Sequence, residues 1–189
     1  METNSGMHIF LIGMPGSGKS TIGKKLADKL GYPFLDLDEV IVEREGQTIA
    51  AVFERHGQEY FRAAEAAALR SLESIATGLV VATGGGTPCF LDNMVYMQKQ
   101  GLTVYLQVSV NKLLERFTEE ELSIRPLLQN KSDVELLTYL TETLAHREQF
   151  YKKAQEVIET GSIPLETTVA ALEKRILPYL SQQKRRSVS

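Results

Sequence analysis

The eight residues GMPGSGKS at positions 13–20 constrain this chain more than any other feature. They match the pattern G-x-x-x-x-G-K-[ST], in which glycines let the backbone curl so that its N–H groups point at phosphates. The apolar run at residues 7–12 has the length of a strand. After the motif, Ile22, Leu26 and Leu30 have the spacing of a helix. Strand, glycine loop and helix in this order predict a phosphate-binding loop.

The side chains of this loop are suited to binding ATP with one Mg²⁺ ion. Lys19 can reach the β- and γ-phosphates, and the Ser20 hydroxyl can ligate the metal. The positive end of the helix dipole adds to the attraction for phosphate. A glycine-rich turn without a ligand is the alternative, which the flanking strand and helix disfavour. The predicted ATP-binding residues here are Gly13, Gly16, Ser17, Gly18, Lys19, Ser20 and Thr21.

Composition excludes several classes of function. The 189 residues carry a net charge of −3, which is not the footprint of a nucleic-acid-binding protein. A single cysteine, Cys89, allows no disulfide framework or zinc cluster and fits a reducing cytoplasm. No apolar run reaches membrane-spanning length. We therefore expect a cytoplasmic protein with neither nucleic-acid nor membrane partners.

Strand and helix patterns alternate along the chain, which predicts an α/β fold with helices on both faces of a parallel sheet. We predict one domain over residues 7–180, with a mobile lid at residues 118–131. Residues 1–6 are expected to be a disordered leader, and residues 181–189 a polar, basic tail. The second strand is predicted at residues 34–38, and Gly57 is expected to break a helix.

Asp36 and Asp38 lie two residues apart at the end of that second strand. On a strand, this spacing would put both carboxylates on one face. Ligands collect beyond the carboxyl ends of such strands, so the pair could serve a hydrated Mg²⁺ and a substrate hydroxyl. The alternative is that Asp38 caps the following helix.

Two further segments are candidates for a binding site. Arg62 and Glu65 lie three apart on a long helix and can meet, although a solvated surface pair would have the same spacing. The three glycines at residues 84–86 follow a buried strand and could let a ligand touch bare backbone. A flexible loop is the alternative there.

Two late arginines complete the candidate set. Arg125 in the predicted lid could contact a transferring phosphoryl group, or simply face solvent. Arg147 follows Leu140 and Leu144 along the apolar side of a helix, where a positive charge requires an anionic partner. The alternative is that Arg147 complements the dipole at the end of its helix.

Other motif matches are interpreted as chance. The sequence NKSD at residues 130–133 matches a guanine-binding box, but it follows a charged segment and precedes a helix instead of ending a strand. A D-x-x-G match at residues 28–31 lies in the first helix. The histidines have no metal-ligand spacing.

These segments together resemble the shikimate kinase family, which has the three-layer fold of nucleoside-monophosphate-kinase-like P-loop proteins. The resemblance covers about residues 7–180 and rests on six segments: GMPGSGKST from Gly13, DLD from Asp36, FRAAE from Phe61, GGG from Gly84, RPLL from Arg125 and REQFY from Arg147. It implies a five-stranded parallel sheet of order 2-3-1-4-5, a mobile lid and a monomer. ATP and shikimate would be the substrates.

For the nucleotide side, the resemblance implies that Lys19 stabilises the γ-phosphate and that Ser20 ligates Mg²⁺. Asp36 would hold the same ion through water. Arg125 would contact the phosphates, and Arg116 would pack on adenine.

For the acceptor side, the resemblance implies that Asp38 hydrogen-bonds the shikimate hydroxyl and takes its proton. Arg62 and Arg147 would clamp the carboxylate, with Glu65 orienting Arg62. Gly84, Gly85 and Gly86 would line the pocket.

The chain departs from the family pattern in two places. Gln58 follows Gly57 where relatives have a glutamate, and residues 119–121 form an unusually acidic stretch of the lid. Two other functions remain as alternatives: a gluconate kinase with the same kind of loop, and a nucleotide-switched binding protein. The DLD, FRAAE and GGG segments argue against the first, and the misplaced guanine-binding boxes argue against the second.

Overall fold

The computed structural model describes residues 6–117 and 132–186. The strands are β1 (His8–Ile12), β2 (Phe34–Asp36), β3 (Val80–Ala82), β4 (Gly101–Gln107) and β5 (Glu156–Glu159). The helices are α1 (Lys19–Leu30), α2 (Leu37–Glu45), α3 (Ile49–Ser71), α4 (Asn93–Gln100), α5 (Val110–Arg116), α6 (Asp133–Tyr151) and α7 (Leu165–Arg186). Short 3₁₀ turns cover Leu72–Ser74 and Thr87–Cys89.

The five strands form one parallel sheet in the order β2-β3-β1-β4-β5, which confirms the predicted order. In the register, Ala82 of β3 pairs with both Leu11 of β1 and Asp36 of β2. Because parallel strands end at the same edge, the segments that follow β1, β2 and β3 meet there. The sheet therefore brings the glycine loop, the two aspartates and the three glycines together.

Helices cover both faces of the sheet in three layers. The fully buried strand β1 directs Phe10 and Ile12 toward α3, α4 and α6, and Ile9 and Leu11 toward α1 and α7. Each such side chain contributes about 1.5–3 kcal/mol of burial free energy. The central strand is thus held from both sides, which fixes the loop that follows it. Across residues 6–117 and 132–186, no helix is long and apolar enough to cross a membrane.

Local details differ from the sequence predictions. Strand β2 ends at Asp36 and α2 begins at Leu37, so the two aspartates do not share a strand face. Asp36, not Asp38, is the N-cap residue. By contrast, the predicted break at Gly57 is confirmed, because its φ of 78° and ψ of 179° are not helical and kink α3. Helix α7 continues through Arg186, beyond the predicted boundary at residue 180.

Several predictions lie outside the described residues. These are the leader apart from Gly6, the lid at residues 118–131 with its Arg125, and the last three residues of the tail.

Candidate active site

The phosphate-binding loop runs from the end of β1 to the start of α1. Gly16 and Gly18 have φ values of 80° and 94°, which side chains with a Cβ rarely adopt. Gly18 is also the N-cap residue of α1, and it has no side chain that could accept hydrogen bonds from the N–H groups of the first turn. These N–H groups and the helix dipole face the cleft, as anion binding requires.

Lys19 lies over this loop with 9% of its surface exposed. Its ammonium donates hydrogen bonds to the carbonyl oxygens of Gly13, at 3.0 Å, and Met14, at 2.9 Å. These contacts keep a positive charge at the rim of the phosphate loop.

Ser20 and Asp36 form the second polar contact of the loop. The Ser20 hydroxyl donates to Asp36 Oδ2 at 2.7 Å, while Asp36 Oδ1 accepts from the backbone N–H of Asp38 at 3.1 Å. The helix cap therefore fixes the carboxylate that meets the serine. Asp38 lies in the first turn of α2 and lines the same cleft.

The described residues contain no group of three or more His, Cys, Asp or Glu side chains that could hold a metal by themselves. The adjacent oxygens of Ser20 and Asp36 nevertheless fit Mg²⁺, because this ion is usually bound by one or two protein oxygens together with water and substrate phosphates.

On the other side of the cleft, Arg62 and Glu65 form an ion pair that is not the surface pair considered as an alternative. Arg62 Nη1 donates to Glu65 Oε2 at 2.8 Å, and their side chains are 13% and 1% exposed. Thr87 donates its hydroxyl proton to the other carboxylate oxygen at 2.6 Å. The buried Glu65 therefore has a partner on each oxygen, which fixes the guanidinium of Arg62.

Aromatic rings also hold Arg62 in place. Its guanidinium lies 4.3 Å from the ring centre of Phe90 and 5.1 Å from that of Phe61. Its buried Nε has no hydrogen-bond partner within residues 6–117 and 132–186. A buried donor of this kind favours a ligand oxygen.

The three glycines bring the two arginines together. A Cβ atom on Gly86 would lie 2.7 Å from Arg62 Nη2, and one on Gly85 would lie 3.1 Å from Arg147 Nη1. A Cβ on Gly84 would lie 3.2 Å from Asp38 Oδ1. Two guanidinium groups and a carboxylate thus converge on one tripeptide, and the first two glycines also line the phosphate cleft.

Arg147 provides the second positive charge of this region. Within the described residues, no carboxylate forms an ion pair with Arg147. Burial raises the pKa of the nearby Cys89 thiol to about 11, although the charges of Arg147 and Arg62 oppose the rise. The thiol therefore stays protonated at neutral pH. Among residues 6–117 and 132–186 Arg147 has no counter-charge, which an anionic ligand would supply.

The cleft has a volume of about 520 Å³ and extends from the glycines to the loop after β5. Arg116 Nη1 donates to the carbonyl oxygen of Gly16 at 3.0 Å, and its other terminal nitrogen lies 3.0 Å from where a Cβ on Gly161 would be. Arg116 thus crosses the cleft beside the phosphate loop.

Several residues of this site were not predicted from the sequence. Thr87 follows the glycines and fixes Glu65, Thr160 and Gly161 line the cleft, and Tyr151 contacts Gly85. Of these residues, only Tyr151 could have been identified from the sequence, because it lies four residues after Arg147 and thus on the same helix face.

Comparison with known proteins gives a consistent result. The family model for shikimate kinase matches residues 15–177. The chain is 40% identical over 172 residues to a shikimate kinase from Phocaeicola vulgatus, covering 89% of this chain and 97% of that one.

Solved structures agree with this match. A shikimate kinase from Bacteroides thetaiotaomicron superposes with a TM-score of 0.84 at 36% identity, covering 90% of this chain and 98% of that one. A shikimate kinase from Acinetobacter baumannii in complex with shikimate superposes with a TM-score of 0.81 at 34% identity, covering 96% of each chain.

Proposed function

The chain belongs to the shikimate kinase family, and from this we propose that it transfers the γ-phosphoryl group of ATP to the 3-hydroxyl of shikimate. The products are shikimate 3-phosphate and ADP, within the biosynthesis of aromatic amino acids. The observation that carries the proposal is the convergence of Arg62 and Arg147 on Gly85 and Gly86, beside a phosphate-binding loop. An acceptor with one carboxylate and several hydroxyls matches that arrangement.

The nucleotide binds along the cleft. Backbone N–H groups of the loop and of the first turn of α1 hold the phosphates, and Lys19 stabilises the charge that develops on the γ-phosphoryl oxygens. Arg116 packs against the adenine. Ser20 and Asp36 would hold one Mg²⁺, Ser20 as a ligand and Asp36 through water. When bound, the ion neutralises phosphate charge; the nearby oxygens of Ser20 and Asp36 support this assignment.

The acceptor binds at the glycines. Arg62 and Arg147 grip its carboxylate, because planar guanidinium groups bind carboxylates with defined geometry and lysine does not. Glu65 orients Arg62 through their 2.8 Å hydrogen bond. The absence of side chains at residues 84–86 leaves room for the ring of the acceptor. The short distances between neighbouring side chains and a Cβ placed on any of these glycines support this assignment.

Asp38 prepares the hydroxyl for reaction. The hydroxyl oxygen attacks the γ-phosphorus, the bond from that phosphorus to the β,γ-bridging oxygen breaks, and ADP leaves with the electron pair. The proton of the hydroxyl passes to Asp38. Positioning and electrostatic stabilisation account for most of the rate enhancement in this class of reaction.

Three further assignments have no contact within the described residues to support them. Arg125 contacts the transferring phosphoryl group, but residues 118–131 lie outside the part of the chain that the structure describes. The enzyme is a monomer. It works in the cytoplasm, with which its single cysteine is compatible.

The test is a coupled assay of nucleoside diphosphate release with shikimate, gluconate or no acceptor, each with ATP or GTP, together with calorimetric titration of both nucleotides. The proposal predicts turnover with ATP and shikimate that exceeds the rate without acceptor at least 100-fold. Faster turnover with gluconate would assign a different acceptor. Tight GTP binding without turnover would instead support a nucleotide switch.

A further inference from the structure

Tyr151, in the last turn of α6, joins the phosphate-binding loop to the region of the two arginines. The side chain is fully buried, and its ring lies 5.1 Å from that of Tyr105 on β4. Its hydroxyl donates to the carbonyl oxygen of Gly85 at 2.6 Å. A buried tyrosine hydroxyl is favourable only when it has polar partners of this kind.

The hydroxyl has a single proton, so its geometry decides which neighbour receives it. The Gly85 oxygen at 2.6 Å is the acceptor, and the sulfur of Met14 at 3.8 Å is a packing contact. Met14 belongs to the phosphate-binding loop and is itself buried. One phenol therefore contacts both loops that border the cleft.

Arg147 approaches the same glycine from the same helix. Arg147 and Tyr151 lie four residues apart on α6 and therefore on one face of that helix. Burial raises the pKa of Tyr151, and the charge and hydrogen bonding of Arg147 oppose the rise. Arg147 Nη1 also lies 3.1 Å from where a Cβ on Gly85 would be. Tyr151 and Arg147 thus meet at Gly85: the hydroxyl donates to its carbonyl oxygen, and the guanidinium lies beside it.

We propose that Tyr151 is a positioning residue for acceptor binding, which sets Arg147 and the Gly85 peptide at a fixed distance from the phosphate-binding loop. The inference rests on the proposed function, because it assigns the carboxylate of the acceptor to Arg147. Tyr151 does not touch the acceptor. Its hydroxyl orients the groups that do.

Tyr151→Phe tests this, because phenylalanine keeps the buried ring and removes only the hydroxyl. Tyr105→Phe is the matched control, since it removes a buried hydroxyl from the stacked partner ring, for which no hydrogen bond to either loop is present in the described residues. The loss of one hydrogen bond of this kind corresponds to an increase of about tenfold in the KM for shikimate. We expect that increase for Tyr151→Phe, with the KM for ATP within about twofold of wild type. We expect neither change for Tyr105→Phe.

A double-mutant cycle separates positioning from a general effect on folding. If the hydroxyl acts through Arg147, adding Tyr151→Phe to Arg147→Ala should lower kcat/KM for shikimate much less than adding it to wild type. Shikimate-induced increases in Tm give a second readout that a destabilised variant still allows: Tyr151→Phe should show a smaller increase than Tyr105→Phe.

The outcomes are distinguishable. Equal KM values for the two phenylalanine variants, or fully multiplicative effects with Arg147→Ala, would overturn the positioning role while wild-type turnover of shikimate continued. A wild-type enzyme without shikimate turnover would instead overturn the proposed function.

Discussion

Replacing Arg62 with alanine should damage both stability and acceptor binding, and the two effects can be separated. The substitution leaves Glu65, which is 1% exposed, with Thr87 as its remaining hydrogen-bond partner among the contacts described above. Removing one partner of a buried ion pair costs about 3–5 kcal/mol, and for a chain of this size each kcal/mol lowers Tm by roughly 2–4 °C. We therefore expect Arg62→Ala to lower Tm by about 10 °C at the lower end of that cost.

The same substitution removes half of the predicted carboxylate clamp. Charge-assisted bidentate hydrogen bonds to one guanidinium are worth about 3 kcal/mol, which corresponds to an increase of about 100-fold in the KM for shikimate. The KM for ATP should stay within about threefold of wild type, because the loop that holds the phosphates does not depend on Arg62.

The double variant Arg62→Met, Glu65→Gln separates these effects. Glutamine still accepts the hydrogen bond from Thr87 but leaves no unpaired buried charge, and methionine fills the space against Phe61 and Phe90. Tm should recover most of the loss while the KM for shikimate stays high. The assays are differential scanning fluorimetry and coupled ADP release. A KM that recovered together with Tm would refute the clamp, since Arg62 would then serve only to hold Glu65.

Three more predictions concern other residues. Lys19→Ala should lower the rate of phosphoryl transfer by about 10³-fold, as expected for loss of a charge that stabilises the transition state. Single-turnover kinetics with saturating ATP would measure this rate, and an unchanged rate would contradict the role of Lys19. Gly86 has φ −89°, so Gly86→Ala introduces no backbone strain, but its Cβ would displace the guanidinium of Arg62. The KM for shikimate should increase about tenfold, and Tm should fall by less than in Arg62→Ala because the guanidinium is shifted but not removed; an unchanged KM would place Arg62 outside the acceptor site. Burial lowers the pKa of His8 below its ordinary value of 6.5, so the unfolded chain binds a proton there before the folded chain does. The contribution of neutral His8 to the free energy of unfolding is therefore fully present above about pH 6.5 and is lost as the pH falls through the folded pKa. Urea unfolding at pH 7.5 and 5.5 should show a larger decrease in the free energy of unfolding for wild type than for His8→Gln. Equal decreases would contradict this account.

The local parts of the site could be predicted from the sequence. The phosphate-binding loop is a contiguous motif whose backbone geometry follows from its glycines, and Arg62 and Glu65 lie on one face of a helix. The sheet order came from the family resemblance, and the structure confirms it.

Long-range contacts could not be predicted in the same way. Thr87 reaches Glu65 across 22 residues, and Tyr151 reaches Gly85 across 66 residues. Such pairs depend on how helices pack on the sheet, which local periodicity does not determine. The alternating sequence FLDLD fits strand spacing and predicts a strand through Asp38, but Asp36 caps α2, which begins at Leu37. Competition between a cap and a strand end is close in energy, so it is decided by tertiary packing.

The central claim is that Arg62 and Arg147 together bind the carboxylate of the acceptor, beside the phosphate-binding loop. A crystal structure of the enzyme with shikimate and ADP tests it most directly. The account predicts carboxylate oxygens at about 2.7–2.9 Å from nitrogens of both guanidinium groups, with the 3-hydroxyl at Asp38. A carboxylate bound away from Arg62 and Arg147, or a 3-hydroxyl directed away from the phosphate-binding loop, would contradict it.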